Sequence, residues 1–368
     1  MYNNLLRGED YVVSLFPRRN IKKIYVEITG RCNLNCRMCY RRSWRESPGD
    51  MPEDTFRALM EQLGVFTGIK EMVLGGIGEP LFNPRFGEML DAAAGLKLDL
   101  TITTNGTLLD SAAIESILRN RVSRLVISVD SPEEETFTSI RQSALSRILE
   151  NQRVLTERRK LAGMQKLVLA WEFVVMESNY RHLPELVKLA SETGVEELFV
   201  SHLMPLEYEA TKEIMYGREK FEDLEKVFKK AANTALARGI RIVLPRSLLK
   251  TERRCRFVES DAVAVAWNGD VVPCYRFLHS YREYVSGRPK DVTRHSFGNI
   301  KAGTLEEIWT SGEYSAFRYM VKNSLYPSCT DCELVDGCDT AARTEYDCMG
   351  NIPACGDCLW ARGIVFCP

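Results

Sequence analysis

Three cysteines, Cys32, Cys36 and Cys39, stand at C-x3-C-x2-C spacing in IYVEITGRCNLNCRMCY, residues 24–40. Three thiolates on one loop can hold three irons of a cubane cluster and leave the fourth without a protein ligand. Such an iron is a reaction site, because a small molecule can chelate it. Structural zinc wants four ligands, and no further Cys or His lies within reach of the loop. The other nine cysteines fall at or after Cys255 and none lies at 40–254, so cysteine is not used here as core filler. Twelve cysteines without a signal peptide do not read as a disulfide scaffold, since the cytosol keeps thiols reduced; metal or cluster ligation accounts for them better.

The elements that must position this loop read as an alternation. Strand-like runs at 24–29, 70–74, 98–103, 123–129, 167–175, 196–201 and 240–244 alternate with helix-like segments near 52–64, 85–95, 110–119, 133–159, 181–193 and 218–238. Alternating βα units give a parallel sheet, doubly wound or TIM-like, and periodicity alone does not separate the two. The stretch 206–239 carries Glu and Lys at helical spacing on a solvated face. Residues 1–22 are polar and basic and read as a cap without chemistry.

Functional residues of parallel barrels sit at the C-terminal ends of strands. The second strand ends Gly75-Gly76-Ile77-Gly78-Glu79-Pro80, where glycines let backbone approach a ligand, although a plain tight turn uses them too. The third ends with Thr103, Thr104 and Asn105, the fourth with Ser128 and Asp130. Small polar side chains there supply hydrogen bonds without filling a cavity. Asn105-Gly106 also reads as a turn, and Asp130-Ser131-Pro132 as a helix N-cap. The fifth strand, LVLAWEFVVMESN, is a nearly unbroken apolar run and reads mainly as core. At the sixth, His202 reads as a structural or substrate-pocket residue rather than a metal ligand.

The cysteine loop, with hydrophobic Met38 before its last cysteine and aromatic Tyr40 after it, resembles the signature of the radical SAM superfamily. The resemblance implies a partial (β/α)6 TIM-like barrel of α/β class. It implies that S-adenosylmethionine (SAM) chelates the open iron of a 4Fe–4S cluster and is cleaved by one electron to a 5′-deoxyadenosyl radical. Cys32, Cys36 and Cys39 would be the catalytic cluster ligands. Gly75, Gly76 and Gly78 would meet the SAM amino group with Glu79 nearby, and Thr104, Asn105, Ser128 and Asp130 would serve ribose and carboxylate. Arg141 would pair with the carboxylate, Val174 and Val175 would lie by adenine, and Tyr40 would complete the SAM pocket. A solvated helix arginine is the other reading of Arg141.

Farther on, Cys255, Gly269 and Cys274 are spaced C-x13-G-x4-C, and Asn268-Gly269 signals a two-residue hairpin between β-branched runs. Then follow Cys329-x2-Cys332-x5-Cys338, Cys348, Cys355-x2-Cys358 and Cys367. These spacings resemble the SPASM domain, an auxiliary-cluster module of radical SAM enzymes acting on peptides and proteins; zinc ribbons are the alternative for the C-x2-C pairs. The resemblance implies two auxiliary 4Fe–4S clusters, which would use eight of the nine cysteines and leave one spare, unless one cluster is ligated differently. Cys255 and Cys274 would serve the first cluster, and Cys329, Cys332 and Cys338 the second. Ala342 stands where the pattern expects another cysteine, so Cys348 is taken as the replacement, and the assignment of Cys348, Cys355, Cys358 and Cys367 stays open. Sulfatase maturases carry an Asp after the second cysteine, whereas this chain has Tyr275, which argues against seryl or cysteinyl oxidation. The tail from Asp347 to Pro368 resembles radical SAM maturases associated with tungsten-containing aldehyde oxidoreductases.

The chain is thus expected to divide into a cap (1–22), a radical SAM core (23–245) and a SPASM domain (246–368). Lys plus Arg (49) nearly balances Asp plus Glu (50), which leaves no field for nucleic acid or anionic lipid. No apolar run of about 18 residues is present to span a membrane, and the cytoplasm is the expected compartment. The expected function is a maturase of a tungsten-dependent oxidoreductase, modifying a protein, peptide or pterin-type cofactor with electrons from a ferredoxin or flavodoxin. The alternatives are a peptide-modifying enzyme forming thioether or carbon–carbon crosslinks, and an iron–sulfur electron carrier or scaffold. The GGIGEP, TTNG and SVD strand ends count against a carrier, which needs no SAM pocket.

Overall fold

A computed structural model describes residues 5–7, 10, 12–163 and 166–367 of the chain. A short antiparallel hairpin, β1 (Leu5–Arg7) and β2 (Val12–Ser14), precedes the main sheet. The cap expected over 1–22 lies partly outside the described residues. Of its described part, Arg18 accepts the Trp309 indole N–H through its carbonyl at 2.9 Å.

Seven parallel strands follow: β3 (Lys23–Glu27), β4 (Glu71–Gly75), β5 (Asp99–Thr104), β6 (Arg124–Ser128), β7 (Val168–Val175), β8 (Glu197–His202) and β9 (Arg241–Val243). They lie side by side in chain order. A doubly wound sheet reverses its order at a switch point, whereas here every crossover turns the same way and the sheet curls into a partial TIM-like barrel. Ile24, Val26, Leu74, Ile102, Leu125 and Ile127 have no measurable exposure, as expected of parallel strands covered on both faces.

The crossovers carry helices whose apolar stripes face this sheet. In α1 (Glu53–Leu63) the stripe is Phe56, Leu59, Met60 and Leu63. Next come α2 (Phe86–Ala94) and α3 (Ser111–Arg119), the latter capped by Asp110, whose carboxylate accepts the Ala113 N–H at 2.9 Å. The single helix expected over 133–159 is two, α4 (Glu134–Arg141) and α5 (Leu145–Leu161). Gln142 breaks them with a left-handed φ of 56°, and the Glu134 carboxylate caps α5 by accepting the Leu145 and Ser146 N–H groups at 2.9 Å. The break frees the last carbonyls of α4. That of Ile140 accepts the Arg37 N–H at 2.9 Å, so the cysteine loop docks on a helix end. The barrel helices finish with α6 (Leu183–Glu192) and α7 (Phe221–Arg238).

The cysteine-rich region continues the same sheet. After α8 (Arg256–Glu259), β10 (Ala262–Val265) pairs parallel with β3, and β11 (Asp270–Val272) runs antiparallel beside it. Their turn is longer than the two residues expected. The Ala266 N–H bonds the Asp270 carbonyl at 2.9 Å and Gly269 has φ 90°, so Trp267-Asn268-Gly269 is a three-residue loop ending in a left-handed glycine. Asn268 stays out of the left-handed region, and its side chain accepts the Asp270 N–H at 3.1 Å. A hairpin of β12 (Tyr281–Val285) and β13 (Arg288–Val292) follows, then β14 (Gly298–Asn299) against β11, and helices α9 (Leu305–Thr310) and α10 (Gly312–Lys322). Among the described residues no helix is long and apolar enough to cross a membrane.

Four buried charges tie this region together. Arg276 pairs with Glu283 and, at 3.2 Å, with Asp357; Lys290 pairs with Asp357 at 3.0 Å and donates to the Ala341 carbonyl at 3.0 Å. Burial opposes ionisation of Asp357, but the Lys290 and Arg276 charges hold its carboxyl below the usual range. Asp357 lies between Cys355 and Cys358, and Arg276 is two residues past Cys274, so the network clamps these cysteines' backbones into one unit. Removing one partner of a buried pair strands the others' charges. Asp357→Ala should destabilise the protein by about 3–5 kcal/mol. Denaturant unfolding and iron retained after reconstitution check this; unchanged values for both would show the network to be dispensable.

Candidate active site at the barrel mouth

Cys32, Cys36 and Cys39 open onto one cavity at the C-terminal ends of β4 to β8. The loop is held from several sides. Besides the Arg37–Ile140 bond, the Asn105 side chain donates to Asn33 Oδ1 at 3.0 Å and lies 3.6 Å from Cys32 Sγ, and Arg41 donates to the Leu34 carbonyl at 3.2 Å. Tyr40 also lines the cavity, stacks on Tyr281 and meets Trp360 edge-on. Burial pushes the Cys32 thiol up to about 11 and raises Cys39 too. Among the described residues no three Cys, His or carboxylate groups converge on a single metal ion. A cubane takes each ligand sulfur on a different iron, and three cavity-facing thiols fit that demand.

The strand ends divide into cavity wall and support. Gly76, Gly78, Glu79, Thr104, Asn105, Ser128, Arg141 and Val174 line the cavity, whereas Gly75 and Asp130 lie behind it. Gly76 has φ 112°, and a Cβ there would come within 2.7 Å of Glu27; a Cβ at Gly78 would collide with the Thr29 carbonyl. Glu79 does not point freely at a ligand. Its carboxylate accepts from Leu81 N–H at 3.1 Å, Thr104 Oγ1 at 2.7 Å and Asn105 N–H at 2.6 Å, joining the ends of β4 and β5. Burial pushes it up to about 7 against these bonds. Asp130, with no exposure, accepts from Arg141 Nε and, at 2.7 Å, from the Val174 N–H. Arg141 is thereby held in the cavity wall with its guanidinium 4.0 Å from Cys36 Sγ, not as a solvated helix arginine. The N–H of Val174 is taken by Asp130, leaving its side chain as the face it offers the cavity; Val175 is buried behind.

Glu172 and His202 also line the cavity. Glu172 is the one charge within β7, and its carboxylate has no hydrogen bond among the described residues. A carboxylate interrupting an apolar run was the available signal. His202 is 2% exposed with no partner at either ring nitrogen; burial pulls it down to about 3, against the Arg246 backbone, so it is neutral.

The later cysteines, all unpaired thiols, separate into groups. Cys255, Cys274, Cys355 and Cys358 line one small apolar pocket with Phe277, Phe317 and Tyr326. Burial pushes Cys255 up to about 12 and Cys274 and Cys355 well above the usual range, with neighbouring thiols adding to each. Cys329 is acted on by Cys348 and Cys338 and shares the surface segment of Cys332. Cys367 belongs to neither group and lines the main cavity.

The sequence description of the Radical SAM superfamily matches residues 26–167, and that of the SPASM iron–sulfur cluster-binding domain matches 255–333. Over 351 residues the chain is 40% identical to the tungsten-containing aldehyde ferredoxin oxidoreductase cofactor-modifying protein of Pyrococcus furiosus, covering 95% of this chain and 97% of that one. The chain belongs to the radical SAM superfamily. It is an enzyme of the branch with a SPASM domain, and that membership brings SAM and iron–sulfur clusters with it. The fold of this radical SAM enzyme is similar to Streptococcus suis SuiB bound to SAM, with TM-score 0.64 at 18% identity over 88% of this chain and 73% of that one. It is also similar to anSMEcpe with bound AdoMet, with TM-score 0.60 at 18% identity over 85% and 83%.

Burial pushes the Glu172 carboxyl up to about 7, with Arg141 pulling it down and Asp130 up. A raised carboxyl pKa means that the folded state binds the proton more tightly than the unfolded chain, whose value is 4.5, so the stability it lends is present below that and lost as pH rises through 7. The SAM-free protein should therefore lose stability between about pH 5 and 7. Glu172→Gln should remove part of that slope, leaving the share of Glu79. Melting temperatures across pH for both proteins check this, and identical slopes would refute it.

Proposed function

We propose that this enzyme cleaves SAM reductively and uses the 5′-deoxyadenosyl radical to modify a protein-bound or pterin-type cofactor during maturation of a tungsten-dependent oxidoreductase. The observation that carries the chemistry is the convergence of Cys32, Cys36, Cys39 and the Arg141 guanidinium on one cavity. The substrate class is supported by kinship along 97% of a relative whose name states that role. The Cys32, Cys36 and Cys39 thiolates would hold a 4Fe–4S cluster, which would supply the electron for reductive cleavage of bound SAM. The protein's own part is positioning. Arg141, aimed by Asp130, pairs with the SAM carboxylate, and the Gly76–Gly78 backbone meets the amino group. Ser128, whose hydroxyl has no hydrogen bond among the described residues, serves the ribose, and the Val174 side chain flanks adenine. Cys255, Cys274, Cys355 and Cys358 hold one auxiliary cluster, and Cys329, Cys332, Cys338 and Cys348 a second. A ferredoxin or flavodoxin supplies electrons.

The test is 5′-deoxyadenosine formed by the anaerobically reconstituted full chain with reductant and SAM. Cys36→Ala should abolish it, by about a thousandfold or more, while Cys332→Ala should leave it within about threefold and impair turnover of the true substrate. Adding a tungsten oxidoreductase that lacks mature cofactor should raise the yield. A rise with candidate peptides alone would transfer the reading to peptide crosslinking, and normal 5′-deoxyadenosine from Cys36→Ala would sink the reading altogether.

A further inference from the structure

Four of the later cysteines share the small apolar pocket and Cys338 and Cys348 act on Cys329, whereas Cys367 stands in the wall of the main cavity. Its segment is strapped to the end of β8: the His202 N–H donates to the Ile364 carbonyl at 3.1 Å and the Phe366 N–H to Ser201 Oγ at 3.1 Å. The Trp360 indole N–H donates to Cys367 Sγ at 3.2 Å. The thiol is thus fixed in the wall of the active-site cavity.

Polar side chains without hydrogen bonds lie in the same wall. Neither ring nitrogen of His202 is bonded, and among the described residues neither the Glu172 carboxylate nor the Tyr275 hydroxyl has a hydrogen bond; Tyr275 is 7% exposed. Unpartnered polar groups in a buried site are unfavourable unless something else satisfies them, so they mark where the polar groups of a substrate bind. Cys367 also borders a second, charged pocket lined by Glu71, Arg124, Arg241 and Glu259. Burial pushes the thiol well above its usual pKa, against the Trp360 bond, so sulfur keeps its hydrogen.

We propose that Cys367 donates a hydrogen atom to the carbon-centred radical formed in the cavity. This rests on the SAM-cleavage reading above. The S–H bond breaks homolytically, a C–H bond forms, and a thiyl radical remains on Cys367. One electron from the low-potential donor that SAM cleavage already requires, with one proton from water, restores the thiol. The S–H bond is weaker than the C–H bond made, which drives the transfer.

Because thiol hydrogens exchange with water, the donation is readable without the natural substrate. The full chain, with its clusters reconstituted, is given SAM and a photoreduced flavin in heavy water free of small thiols, and its 5′-deoxyadenosine is weighed. The wild type should give product mainly one mass unit heavier. In Cys367→Ala and the near-isosteric Cys367→Ser the labelled fraction should fall about tenfold, with iron and sulfide per chain unchanged. Undiminished label in both variants, or label lost only in Tyr275→Phe, would overturn the inference. So would loss of cluster iron in both Cys367 variants, which would make Cys367 a ligand. Unlabelled product from the wild type would also overturn it while leaving SAM cleavage intact, whereas no product at all would overturn both readings.

Discussion

Asp130 has no contact with solvent, yet it sits where β6, α4 and β7 meet. One carboxylate oxygen accepts from Arg141 and the other from the Val174 N–H at 2.7 Å, while its carbonyl accepts from Asn179 at 2.9 Å. Burial works against the charge on Arg141, and Asp130 and Cys36 restore it. Stripping one partner from such a pair typically costs about 3–5 kcal/mol. Through Arg141 the pair sets how closely α4 approaches the cysteine loop, and through Val174 it fixes the end of β7 and with it Glu172, two residues earlier. The geometry of the barrel mouth therefore depends on one ion pair whose carboxylate is wholly buried and whose guanidinium faces the cavity.

The second organising constraint is electrostatic as well. Asp357 cannot be buried ionised without Arg276 and Lys290, and the three lie on segments far apart in sequence. Satisfying them brings the Cys274 turn and the Cys355–Cys358 turn together. Charges and the shared sheet position the cysteines of this region.

Much of this was legible in the sequence. The apolar strand runs stand out because parallel strands are covered on both faces, and the C-x3-C-x2-C loop after Glu27 is local information. The strand ends with Thr104, Asn105 and Ser128 do border the cavity. Gly75 and Asp130 do not, because the inward or outward facing of a strand end depends on its register with neighbours. The break at Gln142 was hidden because it is stabilised by Glu134 across the turn and by the demand of Arg37, neither of which shows in periodicity. The division of the later cysteines was hidden for a similar reason. Cys355 and Cys358 meet Cys274 through the buried charge network and Cys255 through the Arg254 N–H to Ala361 carbonyl bond, and Cys367 reaches the mouth on a segment bonded to β8.

That last strap has a consequence for assembly. Phe366 closes on Ser201 across 165 residues of chain. The cysteine loop rests on Ile140 and Asn105 in the barrel and, through Tyr40, on Tyr281 and Trp360 farther along the chain. Contacts between such distant residues form late, because the intervening chain must be ordered first. The segment that closes this flank of the cavity also braces the loop through Trp360, so the cavity wall and the final setting of the loop are completed together, after the barrel strands.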